Sequence, residues 1–375
     1  MIKNKIHNYD FLIVGAGLIG SLTALSLLKK NYKILIIEKN QSINNDSRTL
    51  AVNANSRDFL INLGLWSKIS RNSEPINKII IKDYINTDNL IFDNPGEPMG
   101  SVIYNYELLK LSRRQLEKKK CILYYNFLMN KSDFNKEKNF IFKNKKFNFK
   151  KIIFTLGKSH ESLLDIKKFS FKSKQQSYVG FFNHKKSHNN IAYEYFTKIG
   201  PLAVLPAPNN NKNLSTFIFS SQKKINEFSL RKILTKNFQS THGQLYFKNK
   251  SIKFQLHPHI SKSHLNKHIL IGDTLRSIHP VAGQGWNLGV KDIQKFCETL
   301  DQYSLSHQNF NDFYYSKRYI ENVSYLSFTS LLTAIYDNQS NFNSSIIKIV
   351  FSTLVNFQSL RNLFIKQAMG RFKLV

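Results

Sequence analysis

Four apolar residues, Phe11 to Val14, run directly into Gly15, Gly17 and Gly20 at the spacing G-x-G-x-x-G. Few features leave a chain less choice of fold. The apolar run suits a strand buried on both faces. Ser21 to Lys30 then carries a helical pattern with Ala24, Leu25 and Leu28, and a second strand, Lys33 to Ile37, ends at Glu38. Together these predict the first βαβ unit of a doubly wound α/β fold. Gly15 permits the tight turn, Gly17 lets a pyrophosphate approach the backbone, and Gly20 allows close helix–strand packing. The helix N-terminus offers free N–H groups to phosphate. Glu38 can accept hydrogen bonds from both hydroxyls of an adenosine ribose, which argues against a 2′-phosphate. The motif predicts a bound dinucleotide and leaves FAD and NAD open.

The 375 residues hold two or three domains' worth of core, and a hydrophobic content of 42% with charge spread throughout describes a globular protein. Cys121 and Cys297 make neither a disulfide framework nor a metal-ligand cluster, so no metal is expected and a reducing, cytoplasmic compartment fits best. The formal charge of +31 points to nucleic acid or an anionic membrane. Its lysines, however, are scattered with Asn and Ile along the whole chain, a pattern of compositional drift and solvated surface. Attraction to anionic lipid, with a peripheral position on the inner face of the membrane, is the second reading. No basic-aromatic module supports nucleic acid. No secretory signal is visible, and no run reaches the ~18 uncharged apolar residues of a membrane span. Residues 344 to 367, "SSIIKIVFSTLVNFQSLRNLFIKQ", are interrupted by Lys348 and Arg361. They read as an amphipathic helix, for packing within the protein or for contact with a membrane or partner.

A second glycine-rich stretch, "LIGDTLRSIHPVAGQGWNLGVKDI", spans residues 270 to 293. It places Asp273 at the end of an expected strand, Leu270 to Gly272, where open α/β sheets hold ligands. A carboxylate there can hold the hydroxyls of a flavin's ribityl chain. Beyond His279 and Pro280, Gly283, Gln284 and Gly285 bring bare backbone toward something flat, and a helix starting near Trp286 and Asn287 aims its positive end there. A reduced flavin carries negative charge at its pyrimidine end, which a helix dipole stabilises by ~0.5–2 kcal/mol. This second stretch favours FAD over NAD.

The pattern GD…HP.AGQG.NLG..D of residues 272 to 292 resembles the most specific signature of the aromatic-ring hydroxylases of ubiquinone biosynthesis. These are FAD-dependent monooxygenases similar to para-hydroxybenzoate hydroxylase. "SRTLAVNANSRDFLINLGLW" (47 to 66) resembles the family's arginine-containing helix, with Arg48 in the FAD-contacting position. "SVIYNYELLKLSRRQL" (101 to 116) resembles the next cofactor-side helix, with Asn105 at its start. "YEYFTKIGPLAVLPAP" (193 to 208) is similar to a substrate-domain strand pair, and "RNLFIKQAMGRF" (361 to 372) to the usual ending. The resemblance implies hydroxylation of a polyprenylated phenol with O₂ through a flavin C4a-hydroperoxide, at a membrane surface or among other quinone-biosynthesis proteins. The cofactor carries the chemistry, so no catalytic acid–base pair is expected. The same fold can serve another hydrophobic phenol or an isoprenoid, or a non-catalytic scaffold of a quinone-biosynthesis complex.

Blander roles stand beside these. Arg48 can be a surface arginine, Asn105 a helix cap, His279 a structural histidine and Gln284 a loop support. Trp286 can pack against the flavin or narrow the substrate pocket. One departure matters: Leu156, ahead of Gly157, stands where the family carries Asp, and Arg276 stands where it usually has His. An apolar side chain removes a polar contact worth ~1–3 kcal/mol. Direct reduction by NAD(P)H is then in question, and an external electron donor is the alternative.

The expected architecture is a discontinuous Rossmann-like FAD-binding domain (1–75, 101–173, 255–300) with an inserted antiparallel β-sheet substrate domain (76–100, 174–254). A C-terminal helical region (301–375) follows. "PAPNNNKN" (206 to 213) reads as a turn between two strands, and residues 131 to 151 as a polar β-hairpin.

Overall fold

The computed structural model describes residues 6–43, 48–84, 89–119, 121–125, 140–142, 145–157, 166–170, 175–263, 268–278, 284–316, 318–319, 321–323, 353, 356 and 358–371. Five parallel strands form the first sheet: β1 (Ile6–Val14), β2 (Ile34–Ile37), β8 (Ile122–Tyr124), β10 (Lys145–Phe154) and β19 (His268–Leu270). Their order is β19-β10-β1-β2-β8, and β9 (Phe140–Phe142) turns back antiparallel onto β10. The order reverses between β1 and β10, so the chain leaves these two neighbours toward opposite sides and opens a crevice at their carboxyl ends. The apolar run Phe11–Val14 is the buried half of β1, whose first residues alternate between solvent and core.

Helix α1 (Leu18–Lys29) is buried without a break from Gly20 to Leu27. Its three hydroxyls turn inward onto the backbone: Ser21 to Ala16 O, Thr23 to Ile19 O and Ser26 to Leu22 O. On this face of the sheet α4 (Asn105–Lys118) and the long helix of residues 284–302 join it around one core that includes Phe11, Ile13, Leu22, Ile36, Ile269 and Phe296. Each such side chain contributes roughly 1.5–3 kcal/mol by burial. The free edge of β19 is closed by side chains of residues 310–316, which are helical. Tyr315 Oη accepts from Leu270 N, Tyr314 Oη donates to Leu270 O, and Asn311 Nδ2 donates to His268 O. An uncovered edge would invite pairing with another chain.

Two small antiparallel sheets flank this body. One pairs β3 (Thr49–Asn53), β7 (Gly100–Tyr104) and β4 (Glu74–Ile76). The other pairs β11 (Ile166–Ser170), β18 (His259–Ser263) and β20 (Arg276–Ser277). The eight-stranded sheet draws on β5 (Lys78–Asp83), β6 (Leu90–Asp93), β12 (Gln176–His184), β13 (Ile191–Thr197), β14 (Gly200–Pro206), β15 (Leu214–Ser221), β16 (Leu245–Tyr246) and β17 (Ile252–Gln255). Its pairs are antiparallel except β5 with β13. The turn expected at 206 to 213 joins β14 to β15, with Asn209 and Asn210 at positive φ. Helix α5 (Glu227–His242) covers one face of this sheet through Leu230, Leu234 and Phe238 against Tyr178, Phe182, Phe217 and Phe219. Between α2 (Ala54–Asn62) and α4 lies the short α3 (Trp66–Ile69), and the helix of residues 284–302 is α6, followed by α7 (Gln358–Ala368).

Three expectations shift. Strand β19 ends at Leu270, and Gly272–Thr274 is a 3₁₀ turn, because Gly272 takes a φ of +68° that no continuing strand allows. Arg48 precedes a strand rather than lying on a helix, since the β-branched and apolar run Thr49–Asn53 pairs with β7. Most of the amphipathic stretch 344 to 367 lies outside the described residues; α7 covers its end. Among the described residues no helix is long and apolar enough to cross a membrane.

A buried charge network fixes α6 to β19. Asp292, fully buried, accepts from Gly272 N at 3.0 Å, from Arg276 Nη1 at 2.5 Å and from Arg318 Nε at 2.7 Å. Asp292→Asn leaves two guanidiniums undercompensated and is expected to cost about 3–5 kcal/mol in urea unfolding; a loss within error of zero would show that the network carries no stability. Under α5, His184, His188 and His242 are each at most 3% exposed, and the His184 and His242 rings are 4.7 Å apart. Burial first, then mutual repulsion, pushes His242 down to about 3; burial also lowers His188 to about 4 and His184 below its ordinary value. All three are neutral in the fold. A depressed folded pKa means stability that is complete above pH 6.5 and lost as the pH falls toward 4 and 3, by about 1.4 kcal/mol per pH unit for each histidine. Thermal melts between pH 7 and pH 4 should therefore fall less steeply for His242→Phe than for the wild type, and parallel curves would refute this account.

Candidate functional site

The crevice at the carboxyl ends of β1 and β10 holds the first glycine stretch, and described residues of the second pack against it. Gly15 takes a φ of +100°, and a Cβ there would stand 2.7 Å from Thr155 O. A Cβ on Gly20 would stand 1.9 Å from Gly15 O, so α1 lies directly on the turn. Thr155 locks the approach by donating to Gly15 O at 2.7 Å. Gly17 differs from both: a Cβ there would meet nothing within 4 Å. It is the N-cap of α1 and supplies no side-chain cap. The first-turn N–H groups of a twelve-residue helix thus open onto free space, a site for an anion.

Glu38, just past β2, faces the same loop. Its Oε2 accepts from Ala16 N at 2.6 Å and its Oε1 from Asn40 N at 3.0 Å. A carboxylate has about four acceptor positions, so two remain for hydroxyls. Arg113, on α4, is a residue that the sequence reading passes over. It donates from Nε to Ala16 O and from Nη1 to Gln41 O, both at 3.0 Å, and its Nη2 lies 3.8 Å from Glu38 Oε2. Its guanidinium sits 5.5 Å from the ring centre of Tyr125, just past β8. One buried cation therefore ties together the segments that follow β1, β2 and β8. Its signal was a charge on the face that Leu108, Ser112 and Leu116 bury.

The second stretch meets the first through small residues. A Cβ on Gly289 would stand 2.7 Å from Ile19 Cδ1, and one on Gly272 3.2 Å from Ile19 Cγ2. This close packing brings the 3₁₀ turn holding Asp273 beside the start of α1. Asp273 is half-buried, and its carbonyl is 3.1 Å from His259 Nε2. Helix α6 starts at Gln284, and a Cβ on Gly285 would meet nothing within 4 Å. Trp286 packs its ring on the main core, and its buried Nε1 has no hydrogen-bond partner among the described residues. The Asn287 amide is engaged internally: Nδ2 donates to Ala51 O at 2.9 Å and Oδ1 accepts from Asn53 N at 3.2 Å. It moors α6 to β3, and Arg48, exposed, stands at the head of that strand. Arg48 O accepts from Asn105 N at 3.0 Å. Asn105 is the first residue of α4 and not its cap, which is Tyr104. Pro280, Gly283 and His279 lie outside the described residues.

Leu156 sits at the switch point. Its N–H donates to Thr274 Oγ1 at 2.8 Å, and its side chain packs on the apolar cluster of Leu12, Val14 and Leu270. Arg276 is absorbed by Asp292. Beside the crevice, Tyr104 contacts Tyr106 (5.5 Å between ring centres) and Phe181 of the eight-stranded sheet (6.3 Å). Burial first, then Tyr106 and Glu107, raises the Tyr104 phenol above its ordinary value, so it stays protonated at neutral pH.

Comparison with known proteins follows the same lines. Residues 8–115 match the family described as the FAD binding domain. Over 98% of its length the chain is 24% identical to the mitochondrial ubiquinone biosynthesis monooxygenase COQ6 of Dictyostelium discoideum, of which 92% is covered. The ubiquinone hydroxylase UbiL of Rhodospirillum rubrum is 22% identical over 97% of this chain and 90% of its own. Among solved structures, the flavin-dependent brominase Bmp2 superposes with a TM-score of 0.78 at 14% identity, covering 97% of this chain and 94% of that one. The p-nitrophenol 4-monooxygenase PnpA of Pseudomonas putida DLL-E4 gives 0.75 at 14%, covering 98% and 100%. Residues 8–115 thus carry the FAD binding domain, and over nearly its whole length the chain is similar to monooxygenases of ubiquinone biosynthesis.

Proposed function

We propose that this protein hydroxylates the aromatic ring of a polyprenylated phenol in ubiquinone biosynthesis, with FAD as cofactor and O₂ as oxygen donor. The observation that carries the reading is the open cradle at Gly17, one helix turn from the Gly272–Gly289 contact that brings Asp273 and the α6 N-terminus to the same crevice. The residues fit FAD. In this reading Gly17 and the α1 N-terminus take the pyrophosphate and Glu38 the adenosine ribose. Arg113 holds both in register, and Arg48 and Asn105 border the middle of the cofactor. Asp273 takes the ribityl hydroxyls, while Gln284, Gly285 and the α6 dipole face the flavin's pyrimidine edge. When bound and reduced, FAD activates O₂ for transfer to an electron-rich ring.

The chain's own task is then to position the ring and keep water out. The eight-stranded sheet turns one face away from α5, and Val179, Phe181 and Ile218 of that face, with Tyr104, supply an apolar and aromatic wall. Residues 76–100 and 174–254 thereby serve as the substrate domain, and 1–75, 101–173 and 255–300 as the cofactor domain. The apolar contacts of Leu156 favour electrons from an external donor over direct use of NAD(P)H.

The test separates cofactor contact from fold. Gly17→Val faces open space, so the variant should fold with an unchanged melting temperature in the absence of flavin and bind FAD at least about tenfold more weakly (1.4 kcal/mol). Gly20→Ala places a methyl on the Gly15 carbonyl and should melt several degrees lower even without cofactor. Absorption spectra during FAD titration decide the matter. A wild-type protein that stays colourless, or a Gly17→Val protein that purifies fully yellow, overturns the assignment.

A further inference from the structure

Three of the exposed apolar residues, Phe228, Tyr246 and Ile252, at 77%, 46% and 38% of full exposure, lie along one edge of the eight-stranded sheet. That edge is built by β16 and β17, both paired to β12. Phe228 reaches it from the first turn of α5, because Glu227 Oε2 accepts from Ser251 N and Ser251 Oγ and so clamps α5 to the start of β17. Exposed Lys248, Lys250 and Lys253 stand between these residues. From Gln222 to Gln255 the chain carries eight lysines and arginines against one acid, Glu227, already engaged with Arg231 and Ser251.

The register adds a second observation. Ile252 pairs with Val179, Val179 with Ile218, and Ile218 with Ala203, so four apolar residues stand side by side across β17, β12, β15 and β14. In paired strands such neighbours share a face, and four strands span about 14 Å. This face is the one opposite α5, whose contacts are Tyr178, Phe182, Phe217 and Phe219. Among the described residues Ile252, Val179 and Ile218 belong to none of the packed apolar clusters. Phe181, two residues along from Val179, lies 6.3 Å between ring centres from Tyr104, the residue that caps α4. An apolar row thus runs from the solvent edge inward to β14.

We propose that the β16–β17 edge docks on an anionic bilayer and that the row Ile252–Val179–Ile218–Ala203 leads an apolar substrate from it to the site. The second part rests on the function proposed above. Lysines at an interface reach outward to anionic headgroups while an exposed Phe enters the acyl boundary, and neither group suits water alone. A second copy of this chain would present the same positive edge, so charge opposes self-association there.

The test is flotation of the full chain with phosphatidylcholine vesicles containing roughly one-third phosphatidylglycerol at about 0.1 M salt. Wild type should float, and Phe228→Glu with Ile252→Glu, or Lys248→Glu, Lys250→Glu and Lys253→Glu together, should lower the bound fraction at least about tenfold. Lys68→Glu, Lys118→Glu and Lys119→Glu remove the same charge elsewhere and should change it little. Equal loss in this control, or a wild type that does not float, overturns the docking face. So does light scattering that shows a dimer broken by the edge variants. The Phe228→Glu, Ile252→Glu protein should keep its rate on a water-soluble phenol and lose it on a long-tailed phenol held in vesicles; equal rates on both overturn the path. A wild type that hydroxylates neither phenol fails the proposed function and the path together, while flotation still decides the docking face.

Discussion

The structure depends on how closely α1 can lie on the turn that precedes it. With 1.9 Å between a hypothetical Cβ on Gly20 and the Gly15 carbonyl, no other residue type leaves the helix where it is. From that contact the rest follows. The helix axis points at the crevice, the apolar length of α1 presses on β1 and β2, and Thr155 of the neighbouring segment can reach back to Gly15 O. Glycine costs a helix roughly 1 kcal/mol of propensity, and the burial of Leu22, Leu25 and Leu27 outweighs it several-fold.

A second dense contact, Gly272 and Gly289 around Ile19, repeats the arrangement from the far end of the chain. Bringing two helix N-termini and an acidic turn together concentrates partial positive charge in a small volume. The fold answers with full-strength anions held close: Asp292 beneath the turn, and Glu38 beside the first loop. Each is itself held by arginine, Asp292 by Arg276 and Arg318, Glu38 in the neighbourhood of Arg113. The site is thus a lattice of alternating charge around the open space at Gly17.

The first βαβ unit, the turn at Gly15, the close contact at Gly20, the start of α4 at Asn105 and the hairpin about residues 206 to 213 were legible because each rests on local sequence: period and turn chemistry. What escaped depended on contacts between distant segments. Arg113 reads as one more surface charge until α4 is laid on α1. The bonds of the Asn287 amide to Ala51 and Asn53, more than 230 positions away, are invisible in the sequence. The resemblance of residues 47 to 66 places Thr49 to Asn53 with an arginine-containing helix, yet this β-branched and apolar run pairs with β7 as a strand. The histidines 184, 188 and 242 are dispersed in sequence and meet only when α5 closes on β12.

Backbone atoms and helix ends shape most of the crevice. The open space is at two glycines, and the main-chain N–H groups of Ala16, Asn40 and Leu156 hold Glu38 and Thr274 in place. In the proposed reading only a few side chains, Glu38 and Asp273 foremost, must keep their chemistry. Main-chain groups are indifferent to the side chains they carry, so a sequence can drift far toward Lys, Asn and Ile while the site keeps its geometry. That is why the chain superposes on a brominase at a TM-score of 0.78 with 14% identity. It is also why a Leu at position 156 can be accommodated: its N–H still binds Thr274, and the side chain finds apolar neighbours already in place. Side-chain identity matters instead on the sheet face opposite α5, so the proposed substrate wall depends on Val179, Phe181 and Ile218 themselves.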